Sequence, residues 1–550
     1  MPSRTIATEN KRAPFSSEGW VRSHADLLAL TIVGAGLLIR LKAASGTFLN
    51  YDEALHFSLA NQISWRLAYQ VSPGTSHPPL LIFLLHAWRA LGTSGCMLRL
   101  PSVLLGTGFC WVSFRWMKNL FGSETALPGL IFLAFSPSMV SLSAEVRQYA
   151  LLLFFTACAL YAWEKALEKN SPLWMLTSVL GLWLAILSHY SGILLAASLG
   201  LYAILRMITR RPPAAVIATW AAGQAGALGI CAFLYFHYIT KLGSTALQGW
   251  MGDTYLHNSY FDPHRHHVVI FIITRTVSVF QYIFSQPVVG VAGFVLFVAG
   301  VMLLWRTKFL PGAAGTRAYQ VVALLVLPFA INCAAALAGK YPYGGTRHCA
   351  FLAIFAAAGI GFGLGRLVKQ RIVAGLSVVV LTMAACGLFP ARRLPYIARA
   401  DQSQTHMHQL MEFIQQKIPS SDLIFTDEQG GMLLGHYLCE QRPVSLDRSV
   451  AGYSSFVCDG HRVVQTRVKE FYFTAENFLP RWDEMVRAYG LKDGDSVWVV
   501  QAGWLWDDPL AQQLQHKSPR FRDLTPQSFG HNITIFSLPT RILPSRIPGG

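Results

Sequence analysis

A polytopic α-helical membrane protein of about eleven spans, followed by a C-terminal soluble α/β domain, is the fold class this sequence predicts. Three observations predict it. Hydrophobic residues make up 53% of the 550-residue chain and charged residues only 13%, roughly half the charge of an average soluble protein. Apolar runs of near-bilayer length recur as far as residue 389. After Pro390 the composition turns polar and mixed.

The elements follow in order. Met1 to His24 carries Arg4, Lys11, Arg12 and Arg22 ahead of an apolar run that begins at Ala25. No small-residue cleavage site follows, which predicts a cytoplasmic tail over residues 1–24 and a retained first helix. Spans are expected near 25–43, 99–118, 125–143, 147–166, 173–188, 191–208, 214–236, 286–304, 318–338, 349–366 and 372–389. With the N-terminus inside, the cytoplasmic connections are the basic ones: Arg115 and Lys118; Lys165 and Lys169; Arg206, Arg210 and Arg211; Arg306, Lys308 and Arg317; Arg366, Lys369 and Arg371. The run from Pro78 to Gly92 is too short to span comfortably, and counting it would put Lys118, Arg210 and Arg371 on the wrong side. It is read as a helix in the outer interface, inside a first outer loop over 44–98. A second outer segment, 241–267, carries Asp253, Asp262, His264, Arg265, His266 and His267, and 268–284 reads as a further interfacial helix.

Residues 25–390 therefore form the multi-span part and 391–550 an extracytoplasmic domain. There, "DLIFTDE", "DSVWVVQAG" and "NITIFSL" read as strands, and "THMHQLMEFIQQK" and "GGMLLGHYL" as helices. "DEQGG" lacks the spacing of a phosphate loop.

Charge and cysteines narrow the function. The formal charge of +17 sits in short clusters between apolar runs, a pattern of membrane topology rather than of nucleic-acid binding. The nine cysteines show no metal-binding spacing. Cys96, Cys110, Cys158, Cys231, Cys333, Cys349 and Cys386 lie in or beside apolar runs as packing residues, and a disulfide between Cys439 and Cys458 is left open.

Chemistry-bearing residues gather in the outer connections. Asp52 and Glu53 open "DEALHFSLANQI", where an acid at a helix start is favoured by the dipole. A carboxylate beside a membrane also serves as a general base, or helps hold a metal bound to phosphate. Further outer groups are Glu145, Arg147 and Tyr149 in "SAEVRQYALLLFF", His189 and Tyr190 in "SHYSG", and Lys340, Arg347 and His348 in "GKYPYGGTRHCAF". Arginine suits bidentate phosphate recognition.

"YDEALHF", "SHPPLLIF" and "AEVRQYALLLF", in that order, resemble the GT-C glycosyltransferases that use polyprenyl-phosphate sugars. The chain is similar to the protein O-mannosyltransferase and aminoarabinose-transferase group across roughly residues 25–367, with 391–550 as the variable outer domain. "TRHCAFLAIF" departs from the Arg-Tyr and proline-containing run of many relatives, which bears on His348 more than on Arg347. The resemblance implies a GT-C type fold and inverting sugar transfer, outside the cytoplasm, from a polyprenyl-phosphate donor to a hydroxyl or amine. The acceptor would be a lipid, glycan or protein. Asp52 would act as general base, with Glu53 orienting it or assisting a metal. Arg347, with Lys340 and His348, would neutralise the departing phosphate. Glu145 and Arg147 would line the sugar or acceptor pocket, and His77 would shape the loop; Tyr149 and His189, read from the outer connections, are further substrate-binding candidates. Participation of a divalent cation is left open. The rival reading is a transporter or flippase of lipid-linked sugars, which broken helices near mid-membrane or inverted repeats would favour.

Overall fold

The structure, a computed structural model, describes residues 17–242, 256–307, 310, 316–367, 371–389, 402–467, 472–505, 508–517 and 519–540. The tail before residue 17, Asp253, Lys308, Lys369 and the 390/391 boundary lie outside the described residues.

Helices stand at every predicted span position. Eight are long and apolar enough to cross a bilayer, among them Ala25–Ser45, Gly95–Phe121, Tyr149–Lys169 and Arg347–Leu367. A ninth position is filled by Ser123–Phe135 and Pro137–Ser143, which are bent by 60° at their junction. The helices at the two remaining positions, Pro172–Ser188 and Ile372–Leu388, have 17 residues each, short of the ~20 that span without thinning the bilayer. The protein is a multi-pass membrane protein. Leu80–Trp88 and Val268–Phe284 are the two short apolar helices expected at the interface.

Helices in lipid gain little from hydrophobic burial against one another, so close backbone approach does the packing. Gly300 is the clearest case: a β-carbon there would overlap the carbonyl oxygen of Gly359. The bend after Phe135 exposes carbonyls in the bundle, and Arg40 satisfies them. Its guanidinium donates to Leu133 O at 3.2 Å and Ala134 O at 2.8 Å, fully buried. Ser136 and Ser138 donate to the carbonyls of Ile283 and Tyr282 on the other side of the break.

The C-terminal part is an α/β layer. Strands β1 (Leu423–Thr426), β2 (Tyr453–Cys458), β3 (His461–Thr466), β4 (Ser496–Ala502), β5 (Gln527–Ser528) and β6 (Ile533–Pro539) form one sheet in the order β2-β3-β1-β4-β6-β5. β1 runs parallel to β3 and β4, and the outer pairs are antiparallel. All four residues of β1 are buried, as expected of a central parallel strand covered on both faces. One face packs on Phe478, Trp482 and Met485 of helix Ala475–Ala488. The other shares a core with the loop before the second span: Ile424, Val463 and Val500 join Phe48, Phe57, Leu81 and Leu85 through Leu433 and Leu434. The sheet and the Asp52 helix are thus built on one apolar cluster. Cys439 and Cys458 form a disulfide.

Candidate active site

The helix Tyr51–Ala60 begins with a capping box. Asn50 accepts from the Glu53 backbone N–H at 3.0 Å, and Glu53 Oε2 accepts from the Asn50 N–H at 2.9 Å. The cap is therefore Asn50 and not Asp52, because Asn-x-x-Glu places both partners at the required spacing. Asp52 is left free to turn elsewhere.

Glu53 is fully engaged. Its Oε1 accepts from Arg99 Nε at 2.7 Å and the Val146 N–H at 2.9 Å, while Oε2 accepts from Arg99 Nη2 at 2.7 Å besides Asn50. Arg99 spends its remaining donors on the carbonyls of Ala44, Thr47 and Phe48. This buried pair ties the first span, the Asp52 helix, the second span and the 144–148 turn together, and the four lone-pair positions of Glu53 are filled.

Asp52 sits in different company. Its Oδ2 lies 2.6 Å from Arg147 Nη1 and 3.1 Å from Arg347 Nη2. Arg147 comes from the turn after the bent span, and Arg347 opens the short 3-10 turn Arg347–Leu352. Arg147 is 2% exposed, Arg347 20% and Asp52 17%. Burial alone would raise the Asp52 carboxyl; the Arg147 and Arg347 charges outweigh it and bring it down to about 2. The Tyr149 ring lies near both guanidiniums, 5.8 Å from Arg147 and 5.9 Å from Arg347, an arrangement that favours cations.

Four histidines extend from this corner. The rings of His56, His77, His189 and His348 follow one another at centroid distances of 5.8, 5.4 and 5.8 Å. His56 stands one turn after Asp52 and donates from Nδ1 to the Asp52 carbonyl at 2.5 Å, which fixes the tautomer and leaves Nε2 as an acceptor. Burial, then the Arg147 charge, lowers His56 to about 4 and pushes His77 well below its ordinary range. Both are neutral at pH 7. His56 Nε2, His77 Nδ1, the Tyr149 hydroxyl and both ends of the Gln148 amide are buried without a hydrogen-bond partner in the protein. Buried polar atoms are rarely left so, and their gathering here fits a polar ligand.

Of the remaining sequence-expected residues, Glu145 is buried and accepts from Ser141 Oγ at 3.3 Å. Lys340 is exposed at the end of the Ala318–Leu337 helix, outside the contacts that join Arg347 to Asp52. Four contributors were not anticipated: Arg99, His56, Tyr341 and Glu428. His56 carried a signal, lying four residues after Asp52 and hence on the same helix face. Tyr341 packs against His189 and His348. Glu428 accepts from Tyr51 Oη at 3.0 Å and comes from the C-terminal layer.

The donor set does not fit a resident divalent cation. Among the described residues no group of three His, Cys, Asp or Glu side chains stands in metal-holding geometry. Asp52 is taken by two arginines and Glu53 is saturated, so no step is routed through a metal.

A family profile described as dolichyl-phosphate-mannose-protein mannosyltransferase matches residues 76–236. No curated sequence matches the chain. Among solved structures, ArnT from Cupriavidus metallidurans bound to undecaprenyl phosphate superposes with a TM-score of 0.53 at 11% identity, covering 95% of this chain and 98% of that one. The chain has the GT-C fold. The apo form of the same ArnT gives a TM-score of 0.53 at 12% identity, over 95% of this chain and 98% of that one. The S. cerevisiae protein O-mannosyltransferase Pmt1–Pmt2 complex is 23% identical over 42% of this chain and 36% of that one, with a TM-score of 0.33; that overlap is too loose to carry argument. Within the GT-C fold, the Asp52 corner lies where the first long connection, the bent span and the Arg347 turn converge.

Proposed function

We propose that this protein is a membrane glycosyltransferase that moves a sugar from a polyprenyl-phosphate donor to an acceptor hydroxyl or amine on the extracytoplasmic side, with inversion. The observation that carries this reading is Asp52 held between Arg147 and Arg347, beside buried neutral polar groups without protein partners. A carboxylate next to anion-binding guanidiniums is what an acceptor proton and a leaving phosphate require together. ArnT, with the same fold, is bound to undecaprenyl phosphate, and the matching family profile names a dolichyl-phosphate-mannose donor.

In this account the acceptor gives its proton to Asp52 as its oxygen or nitrogen bonds the anomeric carbon. The anomeric carbon–oxygen bond breaks and its electron pair leaves on the lipid phosphate, whose added charge meets Arg347 and Arg147. His56, His77, Tyr149, His189 and His348 hydrogen-bond or stack on the sugar, and Glu145 lines the acceptor side. Glu53 is a positioning residue, acting through Arg99 and the capping box. Lys340, at the exposed rim, attracts the phosphate at longer range. The basic connections support an outer position for the Asp52 corner and residues 391–550, and the Cys439–Cys458 disulfide supports an oxidising compartment.

One observation favours the transporter reading: the 60° break between Ser123–Phe135 and Pro137–Ser143, since broken helices recur in transporters. Reconstitution separates the two. Proteoliposomes carrying the protein and a panel of polyprenyl-phosphate sugars are expected to yield a new glycoside and free polyprenyl phosphate. Movement of intact lipid-linked sugar across the bilayer with no glycoside formed would replace this reading with transport.

A further inference from the structure

We infer that Asp52 and the donor phosphate compete for Arg347, so that the base is unlocked by the lipid phosphate it will help to release. The inference rests on the glycosyltransferase reading of the same site.

The geometry makes the two arginines unequal. Both reach the same oxygen, Oδ2, at 2.6 Å for Arg147 and 3.1 Å for Arg347. Arg147 is almost fully buried and belongs to the turn whose Val146 N–H is fixed on Glu53. Arg347 is the longer contact, ten times as exposed, at the start of a 3-10 turn capped by Thr346, which follows Gly344 and Gly345. It is the arm that an incoming anion reaches first. A phosphodiester offers two non-bridging oxygens that match a guanidinium as a pair, whereas Asp52 offers Arg347 one shared oxygen. Three neighbouring titratable groups are engaged elsewhere. His56 donates to the Asp52 backbone carbonyl, Glu53 is bound to Arg99, and Tyr51 faces Glu428.

A cycle follows in which charge and atoms balance. With the site empty of lipid, both guanidiniums hold Asp52 as a poor base. Donor phosphate takes Arg347, and the carboxylate, left with Arg147, becomes more basic. It accepts the acceptor's proton while the new glycosidic bond forms and the anomeric carbon–oxygen bond breaks with its electron pair on the phosphate. When the lipid phosphate departs, Arg347 returns and drives the proton from Asp52 to solvent. The protein binds donor before it can activate acceptor, and an acceptor alone meets an inactive base.

The test is counterintuitive, because removing the proposed base should strengthen lipid binding. Undecaprenyl phosphate binding is measured on the full-length protein in lipid nanodiscs for the wild type, Asp52→Asn, Asp52→Ser, Arg347→Ala and Asp52→Asn/Arg347→Ala, with thermal unfolding as the check on folding. Freeing a guanidinium from a partly buried pair predicts about tenfold tighter binding in both Asp52 variants. Arg347→Ala should bind about tenfold more weakly, and the double variant no more tightly than Arg347→Ala. Equal or weaker binding in an Asp52 variant that is still fully folded at the assay temperature overturns the exchange, as does tightening that persists without Arg347. Wild-type sugar transfer is scored separately. Tightening without any transfer leaves the exchange standing and removes the glycosyltransferase reading; transfer without tightening does the reverse.

Discussion

Asp52 and Glu53 extend from consecutive residues of one helix, yet one carboxylate is closed and the other is poised. Glu53 meets one arginine through two bonds and fills its remaining positions with backbone N–H groups. Asp52 meets two arginines through a single oxygen, at the edge of a set of neutral histidines. A buried acid with matched charge and complete hydrogen bonding has only structure to maintain. An acid outnumbered by cations, beside polar atoms that lack partners, is arranged for something that arrives. Adjacent acids in a sequence are thus not a unit, and the difference between them is the count of partners each one has.

That contrast can be broken experimentally, beginning where the effect should be largest. Arg99→Leu strands the Glu53 charge in a dry interior, and losing one partner of a buried pair costs about 3–5 kcal/mol. Thermal unfolding should show that loss, with activity falling only as the folded fraction falls. Arg347→Ala removes a cation from the leaving group, so kcat should drop about 100-fold while the unfolding temperature moves little. A larger loss of stability than of turnover would assign Arg347 to the same class as Glu53 and Arg99.

A smaller effect is expected with acid. Asp52 is held at about 2, below its ordinary 3.8, so the stability it contributes is present above pH ~4 and is lost as pH falls from about 4 to 2. The contribution is about 2 kcal/mol. Asp52→Asn should lack that limb of the unfolding profile, whereas a profile identical to wild type would deny the ion pairs. Smallest of all, Tyr51→Phe removes the bond to Glu428 and should cost about 1 kcal/mol with transfer retained.

Much of the fold was legible because the bilayer imposes length and composition on each span, and every predicted span position holds a helix. In the C-terminal layer β1, β4 and β6 were readable from their apolar β-branched runs. The β2–β3 hairpin was not anticipated, although Asp459-Gly460 supplied its turn signal: both residues have positive φ, 51° and 80°, as a two-residue hairpin turn requires. The site was legible as residue types and not as partnerships. Asp52 and Arg347 are 295 residues apart, and only closure of the bundle brings them together. Arg99 opens a span, and nothing in the sequence pairs it with Glu53, 46 residues away, until the fold sets the two side by side. The capping box is legible as Asn50-x-x-Glu53, the spacing that sets Asn50 and not Asp52 as the cap.

The central claim is that Asp52, and not Glu53, performs the chemistry. It is tested most directly by single-turnover sugar transfer in proteoliposomes with the polyprenyl-phosphate sugar the wild type accepts, comparing wild type with Asp52→Asn at matched folded fraction. Asp52→Asn is expected to stay folded near neutral pH, with stability lower by the about 2 kcal/mol of its ion pairs, and to transfer about 10²–10⁴-fold more slowly; a folded Asp52→Asn that transfers at the wild-type rate would contradict this.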